Sequence, residues 1–80
     1  MLKYSELSVA RIGKYKEAVI SRCYQNDSEA GYTLAQRVEF AQDNKRLKVF
    51  LKGSIHIQDL DALYNLRDAV NQAIDEIESK

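Results

Sequence analysis

Basic residues repeatedly stand beside aromatic ones in this chain. Lys14 and Lys16 flank Tyr15, Arg22 precedes Tyr24 by two, Arg37 lies three before Phe40, and Arg46, Lys48 and Lys52 surround Phe50. Cations that track phosphates, interleaved with rings that offer stacking faces, are the chemistry that holds single-stranded nucleic acid. Catalytic chemistry is thinly provided for. His56 and Cys23 are the sole histidine and cysteine. A Cys–His pair would need both at one place, and a lone cysteine on a strand is far more often packing. No pair of histidines or cysteines has metal-ligand spacing. Gly13, Gly31 and Gly53 are isolated, so there is no phosphate-cradling glycine loop. The expectation is a binding protein, not an enzyme, without metal or cofactor.

The elements that must position these residues follow from hydrophobic periodicity. The run KRLKVFLKGSIHI, residues 45–57, alternates. Leu47, Val49, Leu51, Ile55 and Ile57 fall on one side as core; Arg46, Lys48, Phe50, Lys52, Ser54 and His56 fall on the other. Residues 32–41 alternate too, with Tyr32, Leu34, Val38 and Phe40 sharing a face. Residues 15–24 are rich in β-branched and aromatic types, though their alternation is blurred. Gly13 marks a bend or bulge, QNDSEAG at 25–31 a loop, and DNK at 43–45 a hairpin turn. Residues 1–10 read as an arm or an extra strand.

From Asp59 onward the spacing is helical, with Leu60, Leu63, Leu66, Val70, Ala73, Ile74 and Ile77 recurring and acids in the first turn. Ala62, Tyr64 and Ala69 widen the apolar stripe beyond what one sheet face requires. The spare width implies a second copy, with Leu63, Leu66, Val70, Ile74 and Ile77 at the interface. The expected architecture is one α+β domain over residues 1–80. A curved antiparallel sheet of three to four strands (11–57) leads to one long dimerisation helix (58–80), forming a homodimer.

Eighty residues with one cysteine build a small core without a disulfide framework, and such chains often complete it by oligomerising. The lone cysteine, with no signal-like or membrane-spanning run in sight, implies an intracellular setting: cytoplasm or nucleoid, or a host's cytoplasm for a viral protein. Net charge is zero but unevenly spread. Residues 58–80 carry six acids against two cations, a net of −4; residues 1–57 carry ten cations against six acids, a net of +4. A zero total is compatible with a locally basic face.

At this point the chain resembles the positive-cofactor-four family of transcriptional coactivators. Ile12-Gly13-Lys14 looks like the family's entry into its first strand. Gln36-Arg37-Val38-Glu39-Phe40 looks like the end of its second. Lys52-Gly53-Ser54-Ile55, followed by leucines at 60, 63 and 66, looks like its step into the C-terminal helix. The resemblance spans roughly residues 11–77. It implies a curved sheet, a helix-mediated dimer and binding of single-stranded DNA. Carried over by position, the phosphate-contacting lysines fall on Lys14, Lys48 and Lys52, the arginine on Arg37, and the stacking rings near Tyr24 and on Phe40. Alternation puts Phe40 with the apolar set instead, and the family's second ring is a tryptophan, which this chain lacks. Residues 1–10 have no counterpart.

The expected interface is therefore Lys14, Lys16, Arg22, Tyr24, Arg37, Phe40, Arg46, Lys48, Phe50 and Lys52. It would bind single-stranded DNA with little sequence preference, during replication, recombination or transcription and alongside proteins of those processes. The alternative is a dimeric interaction or inhibitor module using the same sheet face. A small hydrolase built on Cys23 is a third reading. Lysines that merely solubilise the sheet and discourage edge pairing are the plainest account of the cations, but they leave an exposed Phe50 without a purpose.

Overall fold

Two of the three hairpin turns are set by residues that accept left-handed backbone. Asn26 and Asp27 have φ of 52° and 67°, and Asp43 and Asn44 have 53° and 64°. This is the two-residue turn that Asn and Asp tolerate and that matches strand twist. The computed structural model describes residues 1–79. In chain order these form β1 (Leu2–Gly13), β2 (Lys16–Gln25), β3 (Ser28–Gln42), β4 (Lys45–Phe50), β5 (Ile55–Ile57) and α1 (Leu60–Glu78). The protein is thus α+β, an antiparallel sheet followed by one helix. The strand order is β1-β2-β3-β4, and β5 pairs with β3 beyond the end of β4.

Several expected boundaries shift. Of the two readings of residues 1–10, arm or extra strand, the strand holds: Leu2 onward belongs to β1, so the sheet begins at Leu2 rather than at residue 11. The loop at 25–31 contracts to its Asn26–Asp27 turn, because Ser28 already pairs with Gln25. The long strand at 46–57 breaks after Phe50, where Gly53 adopts φ 97°. The helix begins at Leu60, capped by Asp59, whose carboxylate accepts from the Ala62 N–H at 2.9 Å. Lys80, the last residue of the expected helix, lies outside the described residues.

Register assigns the faces, because directly paired residues share a side. On the first face β2 presents Glu17, Val19, Ser21 and Cys23. Arg37, Ala35 and Thr33 of β3 stand opposite the first three. Phe50 and Lys48 of β4 stand opposite Arg37 and Glu39. On β1 the register shifts between Glu6 and Ser8. That bulge lets Tyr4 and Glu6 share this face with Val9 and Arg11, which a regular strand would turn away. The second face carries Ile20, Leu34, Val38 and Phe40 with Val49, Leu47, Ile55 and Ile57. Gly31, at φ 95°, lies where β5 crosses close. A Cβ there would meet the Ile57 carbonyl oxygen at 2.6 Å, so only glycine fits.

Very little of this is buried within one chain. Val19, Cys23 and Ile57 are the apolar residues fully covered. The helix packs chiefly against β5 and otherwise extends from the sheet, leaving a slab 45 × 38 × 18 Å with a radius of gyration of 15.1 Å. A compact chain of this length has a radius of about 11.6 Å. The accessible surface is 6572 Å², whereas a compact monomer of this mass exposes about 4,900 Å². Leu47, Val49, Leu51 and Ile55, expected in the core, are open, Leu51 lying beside Phe50 where the strand breaks; so are Val70, Ile74 and Ile77 on the helix.

Candidate nucleic-acid interface

The first face is organised around Arg37. Its Nε donates to Glu17 Oε1 at 3.0 Å and its Nη2 to Glu6 Oε1 at 3.2 Å. Its guanidinium sits 5.5 Å from the Phe50 ring centroid. One side chain from β3 thereby ties β1, β2 and β4 together. Only 17% of it is exposed, so Arg37 is a positioning group for Phe50 more than a free phosphate contact. The Arg37 hydrogen bond, with Lys48 nearby, holds the Glu17 carboxyl below its ordinary pKa against the opposing effect of burial. The same carboxylate, followed by Glu6, raises the Arg37 pKa further.

Phe50 itself is 57% exposed. Lys48 lies two residues before it on the same side; its Nζ is 3.5 Å from Glu17 Oε1. Arg46 Nη1 is 3.5 Å from Glu39 Oε1, with two thirds of its side chain in solvent. The β1–β2 turn adds Tyr15, whose ring has Lys14 Nζ at 5.5 Å and the Arg46 guanidinium at 5.9 Å. Arg11 steadies that turn, donating from Nη2 to the Lys14 carbonyl oxygen at 2.6 Å. Arg11, Lys14, Tyr15, Lys16, Glu17, Glu39 and Lys48 line a cleft of about 180 Å³. Its cations outnumber its acids by four to two, a local net of +2 that suits an anion.

The expected site therefore divides. Lys14, Arg37, Arg46, Lys48 and Phe50 come together, whereas Lys16, expected with them, pairs with Val38 of the second face and only borders the cleft at the end of β2. Arg22, Tyr24 and Phe40 do not: the unbroken alternation of β2 puts Arg22 opposite Tyr32 on the second face, and Phe40 pairs with Leu47 there. Arg22 instead faces Glu29, 3.7 Å away. Lys52 leaves the strand pattern at the break after Phe50 and lines a separate groove with Ile12, Leu34, Gly53 and Ile55. Sequence reasoning missed Tyr15 as a site residue, although its lysine neighbours marked it. It also missed Tyr4, which needed β1 to be recognised as a strand, and the acids Glu6, Glu17 and Glu39, which only cross-strand register reveals.

Cys23 is buried on β2 opposite Tyr4. Among the described residues no cluster of His, Cys, Asp and Glu is arranged to hold a metal ion, and no helix is long and apolar enough to cross a membrane. Comparison with protein-family models, curated proteins and solved structures finds no match for this chain.

Proposed function

We propose that the protein is a homodimeric, non-enzymatic binder of single-stranded DNA with little sequence preference, acting inside the cell on strands unwound for replication, recombination or transcription. One observation carries the reading: an exposed phenylalanine, Phe50, is held by a guanidinium on an open sheet face beside Lys48 and Arg46. An exposed ring adds nothing to solubility, but it stacks on an unpaired base, and the flanking cations meet the phosphates. The resemblance to the positive-cofactor-four coactivators, in element order and in Lys14, Arg37 and Lys48, supports the same reading.

Exposed surface supports the dimer. Relative to a compact monomer, each chain exposes about 1,600 Å² too much, and two chains about 3,200 Å², within the range that permanent homodimers bury. The apolar second face and the helix stripe are the surfaces open to be covered.

Ion pairing favours one rival. Glu6, Glu17 and Glu39 already occupy part of the cationic face, as a face built to meet a protein partner would have it. Fluorescence-anisotropy titration with single- and double-stranded oligonucleotides at two salt concentrations separates the readings. Three available cations per chain, Lys14, Arg46 and Lys48, predict a log–log salt slope near −2 for single strands, with duplex bound more weakly. Absence of binding, or binding indifferent to salt, overturns the proposal.

A further inference from the structure

Beside the cationic cleft, the same face holds a second hollow that charge does not explain. Tyr4 on β1 and Phe50 on β4 wall a groove of about 280 Å³, floored by Ser21, Thr33 and Ala35. Both rings are more than half exposed, Tyr4 at 56% and Phe50 at 57%. Ser21 and Thr33 are direct cross-strand partners, each only 8% exposed. Among the described residues neither hydroxyl has a hydrogen-bond partner. Neither oxygen is sealed away, since Arg22 Nε is the buried polar side-chain atom left without a partner among the described residues, so the two hydroxyls stand side by side with their bonding capacity open to the groove.

We propose that this groove is a nucleobase pocket, in which the rings of Tyr4 and Phe50 take the faces of unpaired bases and the Ser21 and Thr33 hydroxyls bond a base edge. The inference rests on the single-strand reading above and deepens it. A base is the ligand that fits both features: it is flat and aromatic on its faces and carries donors and acceptors at its rim. A hydroxyl both donates and accepts, so the floor accommodates any of the four edges and confers little sequence preference. A duplex is refused, because its base faces are already stacked and its pairing edges used. The strand that supplies Tyr4 has no counterpart in the family the chain resembles, so the pocket belongs to this chain's own extension of the sheet. The cleft at Lys14 and Lys48 holds backbone; the groove at Tyr4 and Thr33 holds bases.

The test compares a labelled oligothymidine with an abasic strand of equal length at one salt concentration. Wild-type protein should bind the oligothymidine more tightly. Tyr4→Leu should weaken oligothymidine binding about 5- to 150-fold, the range for one stacking ring, while abasic binding stays unchanged. Tyr4→Phe keeps the ring and should retain affinity. Thr33→Val, nearly the same shape, should cost about 2- to 10-fold on oligothymidine alone. Equal losses on both strands, or no loss in folded Tyr4→Leu and Thr33→Val, overturn the pocket while leaving single-strand binding in place. Wild-type protein that binds neither strand overturns both.

Discussion

Replacing Ile74 with Asp should take the dimer apart. Ile74 lies in the stripe of Leu63, Leu66, Val70 and Ile77, and is 45% exposed in the isolated chain. In a twofold dimer it occurs twice, so the substitution acts twice. A polar group buried without a partner costs about 2–7 kcal/mol, and a carboxylate is no cheaper. Two copies cost at least about 4 kcal/mol, which raises the dissociation constant about a thousandfold. Sedimentation velocity over a concentration series reads this directly. Wild-type protein should sediment at twice the 9.2 kDa chain mass at micromolar concentration, and its thermal midpoint should rise with concentration. The variant should run as monomer or lose its cooperative melt, since a chain with so few buried apolar residues has little to hold it alone. Gln72→Glu, on the far side of the helix by its spacing, should change neither property. A wild-type chain that sediments as a monomer with a concentration-independent melt refutes the surface argument.

Further outcomes concern the cationic face. Arg46→Ala with Lys48→Ala should weaken binding to all single strands alike and reduce the magnitude of the salt slope by about 1.4, roughly 0.7 per lost phosphate contact. Phe50→Ala should cost about 1–3 kcal/mol of single-strand affinity but only about 1–2 kcal/mol of stability, because less than half the ring is covered and a fully buried one costs about 3–5 kcal/mol; denaturant melts beside binding curves separate the two. Glu17→Gln should tighten oligothymidine binding by up to about fivefold, since it releases Lys48 from a carboxylate that competes with phosphate for it. The Glu17 carboxyl is depressed by Arg37 and Lys48, so its stabilising contribution is full above the unfolded value near pH 4.3 and is lost as pH falls through the lower folded value. Wild-type protein should therefore lose stability on acidification in that window, and Glu17→Gln should show a smaller loss in acid melts.

The elements were legible where local pattern decides them. Alternation placed Tyr32, Leu34, Val38 and Phe40 on one side of their strand, and register bears this out. For Phe40 alternation was the better guide: it pairs with Leu47 on the side of the sheet opposite Phe50, where the resemblance would not put it. The Asp43–Asn44 turn and the capped helix were equally readable. What was not legible depends on contacts between distant segments. Arg22 and Tyr24 do point the same way, but only pairing with β3 and β4 tells that this is away from Phe50. β1 was obscured because its bulge near Leu7 breaks the period of two. The break after Phe50 takes Lys52 out of the row that alternation assigns it to. The exposure of Leu47, Val49, Leu51 and Ile55 was not legible either, because alternation marks an apolar side but not whether anything covers it.

The most direct test of the central claim is an amide chemical-shift titration of the protein with oligothymidine. The account predicts shifts clustered at Tyr4, Tyr15, Thr33, Arg46, Lys48 and Phe50 on the first face, with Arg22, Phe40 and the helix residues Val70 and Ile74 unmoved. Shifts confined to the second face or the helix, or no shifts at all, would contradict it.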